Sequence, residues 1–256
     1  MASSFGFRST KRPLMRLLLT AAVLLLCAMC YRVIAEPPGY ADVTDEAQTR
    51  KNRSLALLQE EMVPILESLP LIETEAESTR RETKLVAQRA IALCIASVKG
   101  EGLEQAIVER LVQEYQIADV LTPDERAFIK NPNPTQHDRL QFSWRYECYW
   151  TLLWSLGFVE TLARPDKPCD AGVAVSILRD LGREKFFQQA KLRPQAEILD
   201  AADLIYRYHW AVTDARINGR EAPAGLHGGV VMERHYALNW LIGYQDQAWD
   251  DISTDT

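Results

Sequence analysis

Apolar residues recur at steps of three and four along most of this chain, the period of helices with one face turned inward. From Thr44 to Ser68 the positions Leu55, Leu58, Met62, Ile65 and Leu66 follow that spacing, with Pro64 kinking or shortening the last turn. After the connector "LPLIETEAES", a helix apolar on nearly every side runs from about Ser78 to Val98 and stops at Gly100 and Gly102, which marks it as central. Leu103 to Gln116 predicts a more amphipathic helix. "TPDE" at Thr122 to Glu125 is a start signal, with Thr at the N-cap, Pro at the first helical position and Glu at the third closing a capping box. Beyond "NPNPT", a helix from about Asp138 to Leu156 carries Phe142, Trp144, Tyr146, Tyr149, Trp150 and Trp154. A short helix near Val173 to Leu181, the unassigned stretch "REKFFQQAKLR", a long helix from Pro194 to Ile217, a glycine-rich loop and a helix from about Val230 to Ile242 complete the pattern.

No stretch alternates with period two, and no internal repeat is found, so the body reads as mainly α, a single compact multi-helix domain. A different pattern precedes it. Residues 1–35 hold no acid but carry Arg8, Lys11, Arg12, Arg16 and Arg32, and they include the apolar run "LLLTAAVLLLCAMCY". That is the charge-then-apolar order of a signal peptide, with "VIA" offering small residues for cleavage before Glu36; an uncleaved signal anchor is the alternative. Either way the body is expected to be exported, periplasmic or otherwise extracytoplasmic, and to meet the membrane only through this segment. The expected organisation is residues 1–35 as signal peptide or anchor, 36–54 as linker ("EPPGYAD") and start of the first helix, and 55–256 as the helical domain.

Charge narrows the partners. Removing residues 1–35 leaves 24 Lys and Arg against 35 Asp and Glu, a formal charge of −11, which argues against nucleic acid. Cys94, Cys148 and Cys169 are an odd number with no CxxC spacing, and two lie in apolar helical settings, so inert thiols are expected, with one disulfide left open.

On the helix from Pro194 to Ile217, Asp200, Asp203, Arg207, Trp210 and Asp214 share one face. One reading is a solvated stripe in which Asp203 pairs with Arg207 and Arg207 lies over Trp210. Arg145, Arg234 and Arg89 fall among apolar neighbours, and a guanidinium cannot give up its proton, so burial demands acceptors; Glu147, Glu197, Asp200, Asp203, Asp214 and Glu233 are the available acids. Arg234 is expected to pair with an acid of the helix carrying Asp200 and Asp203. These arginines form either a salt-bridged core or a pocket in which Arg145, Arg207 and Arg234 hold a small anionic ligand. His209 and His235 lie on different helices without HExxH or paired-His spacing, so no metal site is assigned from the sequence, a metal site would have to be assembled from tertiary contacts, and the cofactor is left open. There is no GxSxG, and "GLHGG" lacks the spacing of a phosphate loop.

Four ordered stretches, "WRYECYWTLLWSLGFVETL", "LRPQAEILDAADLIYRYHWAVTDAR", "VVMERHYALNWLI" and the closing "WDDISTDT", resemble the bacterial domain-of-unknown-function family 4272, from about Leu69 to the C-terminus. The resemblance implies a helical domain and carries no established activity or catalytic residue. The basic, apolar N-terminus is a departure from the family's usual pattern. Two function classes follow from the residues: an interaction or binding module with a protein partner or small anionic ligand, or a hydrolase-like enzyme using Asp, Glu and His of the last two long helices, with metal assistance as one form. Without a nucleophile spaced to a base, the module is favoured. Arg145, Asp200, Asp203, Arg207, His209, Arg234 and His235 are the candidate ligand-binding residues. Trp249 and Ile252 predict that the tail docks on the helical body.

Overall fold

Two threonines set the frame. Thr122 and Thr135 each accept a hydrogen bond from the backbone three residues on, while Glu125 and Asp138 bond back to the cap, so both helices start where "TPDE" and "TQHD" stand. The structure is a computed structural model that describes the backbone of residues 40–256 and side chains from residue 45. The expected signal segment and residues 36–39 of the linker lie outside the described residues. Eight helices follow: α1 (Tyr40–Glu60), α2 (Thr83–Gly100), α3 (Gln105–Glu114), α4 (Pro123–Lys130), α5 (Gln136–Ser155), α6 (Ala171–Gln189), α7 (Gln195–Ile217) and α8 (Gly228–Ile242). Among the described residues there is no strand, and no helix is long and apolar enough to cross a membrane.

The core is a row of four helices: α2 packs along α5, α5 along α8, and α8 along α7. The near-continuous apolar run of α2 explains its place, since Val86, Ala87, Ala90, Ile91, Ala92, Leu93 and Ala96 are all buried. At its end Gly100 meets α5 backbone to backbone. A Cβ there would lie 2.7 Å from the Ser143 nitrogen and 2.8 Å from the Arg139 oxygen, so the helix pair can close only around glycine.

The first helix ends at Glu60, two turns short of the Ser68 that spacing suggests. Pro64 cannot donate to the helix, and its ring disfavours helical backbone at the residue before it. The chain turns at Met62 (φ 58°), where Val63 N bonds Leu58 O at 2.8 Å and Met62 N bonds Gln59 O at 3.1 Å, a Schellman ending. The same helix begins earlier than the linker reading allows: Tyr40 to Asp42 are helical, because the prolines at 37 and 38 restrict only themselves and the residue before each. Residues 61–82 form an irregular strap whose carbonyls need partners once covered. Lys51 Nζ donates to Leu69 O at 2.8 Å and also to Glu67 O, and Arg50 Nη1 donates to Glu73 O at 3.2 Å.

The unassigned "REKFFQQ" is helical and continues α6 past Gly182, whose φ of 66° and ψ of 173° break the helix axis in a region essentially closed to other residues. The break is why the period is lost there. The tail docks as expected: Trp249 and Ile252 are buried, Tyr236 donates to Trp249 O, and Asn239 Nδ2 donates to Ser253 O at 2.8 Å.

Candidate functional site

Helices α5 and α8 are cross-braced. Arg145 and Glu147 on α5 face Glu233 and Arg234 on α8, with Arg145 Nη1 3.1 Å from Glu233 Oε2 and Arg234 Nε 3.1 Å from Glu147 Oε2. Arg234 and Glu147 are 3% and 2% exposed, so each neutralises a charge that could not stand there alone. The expected partner of Arg234, an acid of the Asp200–Asp203 helix, is therefore replaced by Glu147. Arg234 sits on the side of α8 turned to α5, whereas α8 meets α7 through His235. Cys148 Sγ donates to Glu233 Oε2 at 3.0 Å, and burial, then the Glu233 charge, pushes its thiol pKa well up. Burial pushes the Cys94 thiol up to about 12, and Cys94, Cys148 and Cys169 are all free, so the disulfide left open by the sequence does not form.

On α7 the Asp203–Arg207 pair forms as spaced, with Arg207 Nη2 2.6 Å and Nε 2.9 Å from the two carboxylate oxygens. It is not solvated: the side chains are 0% and 1% exposed. The strap crosses this part of the stripe, and Arg207 Nη2 also reaches Pro70 O at 3.4 Å. The guanidinium lies 5.9 Å from the ring of Tyr206, not over Trp210. The ends of the stripe stay at the surface, where Asp200 is held by Arg50 at 3.1 Å and Arg53 at 2.6 Å, and Asp214 by Arg220 at 2.5 Å.

The two histidines, unrelated by sequence spacing, meet across α7 and α8. Their Nδ1 atoms are 2.8 Å apart, so one donates and the other accepts, which requires at least the accepting ring to be neutral. Burial lowers His209 to about 4, with the Arg216 charge adding; burial lowers His235 to about 3, with His209 adding and a hydrogen bond to Asn239 opposing. A pair spent on one another leaves neither Nδ1 for a third group. Among the described residues, no three His, Cys, Asp or Glu side chains are grouped to hold a metal ion.

Arg145, Arg207 and Arg234 do not share one space. Arg145 lines a cleft of about 410 Å³ with Asp124, Asp138, Tyr236 and Asp250. Arg234 lines a different cleft of about 480 Å³, bounded by α1, α7, α8 and the segment 160–165. Arg207 lines neither. The second cleft gathers Arg234 and Asp200 from the candidate set and adds two arginines that the sequence reading passed over, Arg164 and Arg193. Its floor is apolar: Leu57, Leu204, Ile205, Leu238 and Trp154.

The guanidinium groups here are fixed in place. Arg193 spends four of its five N–H groups on Trp154 O, Val159 O, Glu160 O and Glu197. Arg164 Nε donates to Glu61 at 2.9 Å and its Nη2 to Ala224 O at 2.7 Å; Arg234 Nη1 donates to Ala163 O at 2.5 Å. Arg164 Nη1 and Arg234 Nη2 make no hydrogen bond among the described residues. Three of the four lining carboxylates are occupied: Glu61 accepts from Arg164 and from the Tyr208 hydroxyl at 2.7 Å, Glu197 from Arg193, and Asp200 from Arg50 and Arg53, while the exposed Glu160 has no side-chain partner among the described residues. Burial, then Glu61, raises the Tyr208 pKa, so the phenol stays protonated. Apart from Glu160, the unused charged capacity of this cleft is therefore donor capacity.

Arg164 and Arg193 lie in loops beside Pro165 and Pro194, outside any helical period, and the one available signal was an arginine following a helix end, where free carbonyls collect. Four further core charges were missed: Arg50, Lys51, Lys99 and Glu125. Arg50 is buried and braces α1 to Asp200 and to the strap; Glu125, credited only with capping α4, is also the buried partner of Arg89 at 2.6 Å.

No curated protein and no solved structure matches the chain. One family model does, over residues 50–252, a span from the middle of α1 to the docked tail that takes in the α5–α8 brace, the histidine pair and the arginine cleft. The chain belongs to the family described as domain of unknown function DUF4272.

Proposed function

We propose that this domain is a binding module whose ligand carries a carboxylate on an apolar body and sits in the cleft lined by Arg164 and Arg234. The observation that carries the reading is the pair of unused guanidinium N–H groups, Arg164 Nη1 and Arg234 Nη2, on arginines already immobilised by Glu61, Glu147 and backbone carbonyls. Donors held in place lose little freedom on binding, and Arg favours planar two-oxygen acceptors. The apolar floor supports a hydrophobic body on the same ligand. Binding also suits a polar interior whose histidines, thiols and carboxylates are engaged with one another, since a catalytic base or nucleophile needs a free reacting atom. The acid-free, basic first 35 residues support this module acting outside the cytoplasm.

Titration calorimetry with N-acetyl-L-leucine as probe and its neutral amide as control tests the reading. The acid is expected to bind and the amide to bind at least tenfold more weakly, with Arg164→Gln removing most of the difference. Arg164 is the better variant because it is partly exposed, whereas Arg234 also holds up the fold. Equal binding of acid and amide, or an Arg164→Gln protein that keeps the preference, rejects it.

A further inference from the structure

Behind the histidine pair, the strap residues 70–73, α7, α8 and the tail border a third space, of about 340 Å³, with chemistry opposite to that of the arginine cleft. Glu73 and Asp255 line it, and no Lys or Arg does. Neither acid is paired with a cation among the described residues, in contrast to Glu61, Glu197 and Asp200 across α7. Three rings line it as well: Tyr206, Tyr244 and His235. Leu71, Ile72 and Ile242 supply apolar wall.

The positive groups nearest this space are already neutralised. Arg50, which donates to Glu73 O, is paired with Glu46 and Asp200; Arg207, 5.9 Å from the Tyr206 ring, is bound through two nitrogens to Asp203; and His235 is 2% exposed and uncharged, its Nδ1 committed to His209. The cavity is thus lined by two acidic residues, three aromatic rings, hydrocarbon, and the neutral side chains of Asn239 and Thr256. That set attracts an organic cation, because ring quadrupoles and carboxylates both stabilise a weakly hydrated ammonium whose substituents fill the apolar part.

We propose that the cavity lined by Glu73, Tyr206, His235, Tyr244 and Asp255 is a binding site for an amine or quaternary ammonium ligand with an apolar body. It is separate from the arginine cleft: the two share no lining residue. The ligand places its charged nitrogen among Glu73, Asp255 and the tyrosine rings and its body against Leu71, Ile72 and Ile242.

The test is calorimetric titration of the full chain with benzyltrimethylammonium chloride at fixed ionic strength, with benzyl alcohol and sodium benzoate as neutral and anionic controls. The ammonium is expected to bind saturably and the controls at least tenfold more weakly. Glu73→Gln and Asp255→Asn should each weaken it about twofold to fivefold, and Tyr206→Leu by a similar factor. Both acids are partly or fully exposed, so the unfolding midpoints of those variants should match the parent and a loss of binding can be read as a loss of site. Arg164→Gln, in the other cleft, should leave ammonium binding unchanged. Absence of binding by the folded protein, equal binding of benzyl alcohol, or an affinity indifferent to Glu73→Gln and Asp255→Asn each overturns the proposal, whatever the outcome with N-acetyl-L-leucine.

Discussion

Replacing His209 and His235 together by Asn should flatten the acid dependence of stability. In the fold the pair is held neutral, at about 4 for His209 and about 3 for His235, against 6.5 for an unfolded chain. Between those values the unfolded state binds protons that the native state refuses, so stability is full above pH 6.5, falls as pH drops, and levels off only below the folded values. At pH 5 each ring gives up about 2 kcal/mol relative to pH 8, about 4 kcal/mol for the two, which is a large part of a typical domain's stability. An Asn amide can stand where each Nδ1 stands and keep one donor facing one acceptor across the 2.8 Å gap, without a titrating group. Urea denaturation of parent and double variant at pH 8, 7, 6 and 5 gives the comparison. His137 and His227, and the carboxylates of the ion pairs, are common to both proteins and cancel in the difference. The parent is expected to lose about 4 kcal/mol more than the variant between pH 8 and pH 5. Identical losses would show that the rings accept protons in the fold as freely as in the unfolded chain, and would refute the neutral pair.

Arg234→Ala should cost about 3–5 kcal/mol by leaving Glu147 charged and buried, while Arg234→Met with Glu147→Leu should recover most of it; denaturation midpoints that fall equally for both would contradict this. Gly100→Ala should destabilise despite its gain in helix propensity, by about 1–3 kcal/mol, because α2 and α5 must part to admit the methyl; an unchanged thermal midpoint would mean the helices do not meet this closely. Deleting Trp249 to Thr256 should remove about 1.5–3 kcal/mol of burial for each of Trp249 and Ile252, read as a lower thermal midpoint, and a truncated protein as stable as the parent would rule out the docked tail.

Local signals carried the helices because capping chemistry acts within four residues. "TPDE" announces α4 by itself, and the apolar run of α2 requires a central place whatever surrounds it. Partner choice was not local. Glu125 had a sufficient reason to exist as a cap, which hid its second duty to Arg89, and the strap that buries Asp203 and Arg207 comes from residues 61–82, far away in sequence. The histidines illustrate the same limit: 26 residues apart with no shared motif, they meet only because α7 and α8 pack antiparallel to a register that neither helix encodes alone. Arg164 and Arg193 were invisible to a search by periodicity because loops have none.

The most direct test of the binding account is a backbone amide shift map of the protein titrated with N-acetyl-L-leucine. The account predicts saturable shifts concentrated at residues 160–164, Tyr208, Arg234 and Leu238, lost in Arg164→Gln. Shifts that cluster elsewhere, such as around Arg145 and Asp250, or a map that is the same for the neutral amide, would contradict it.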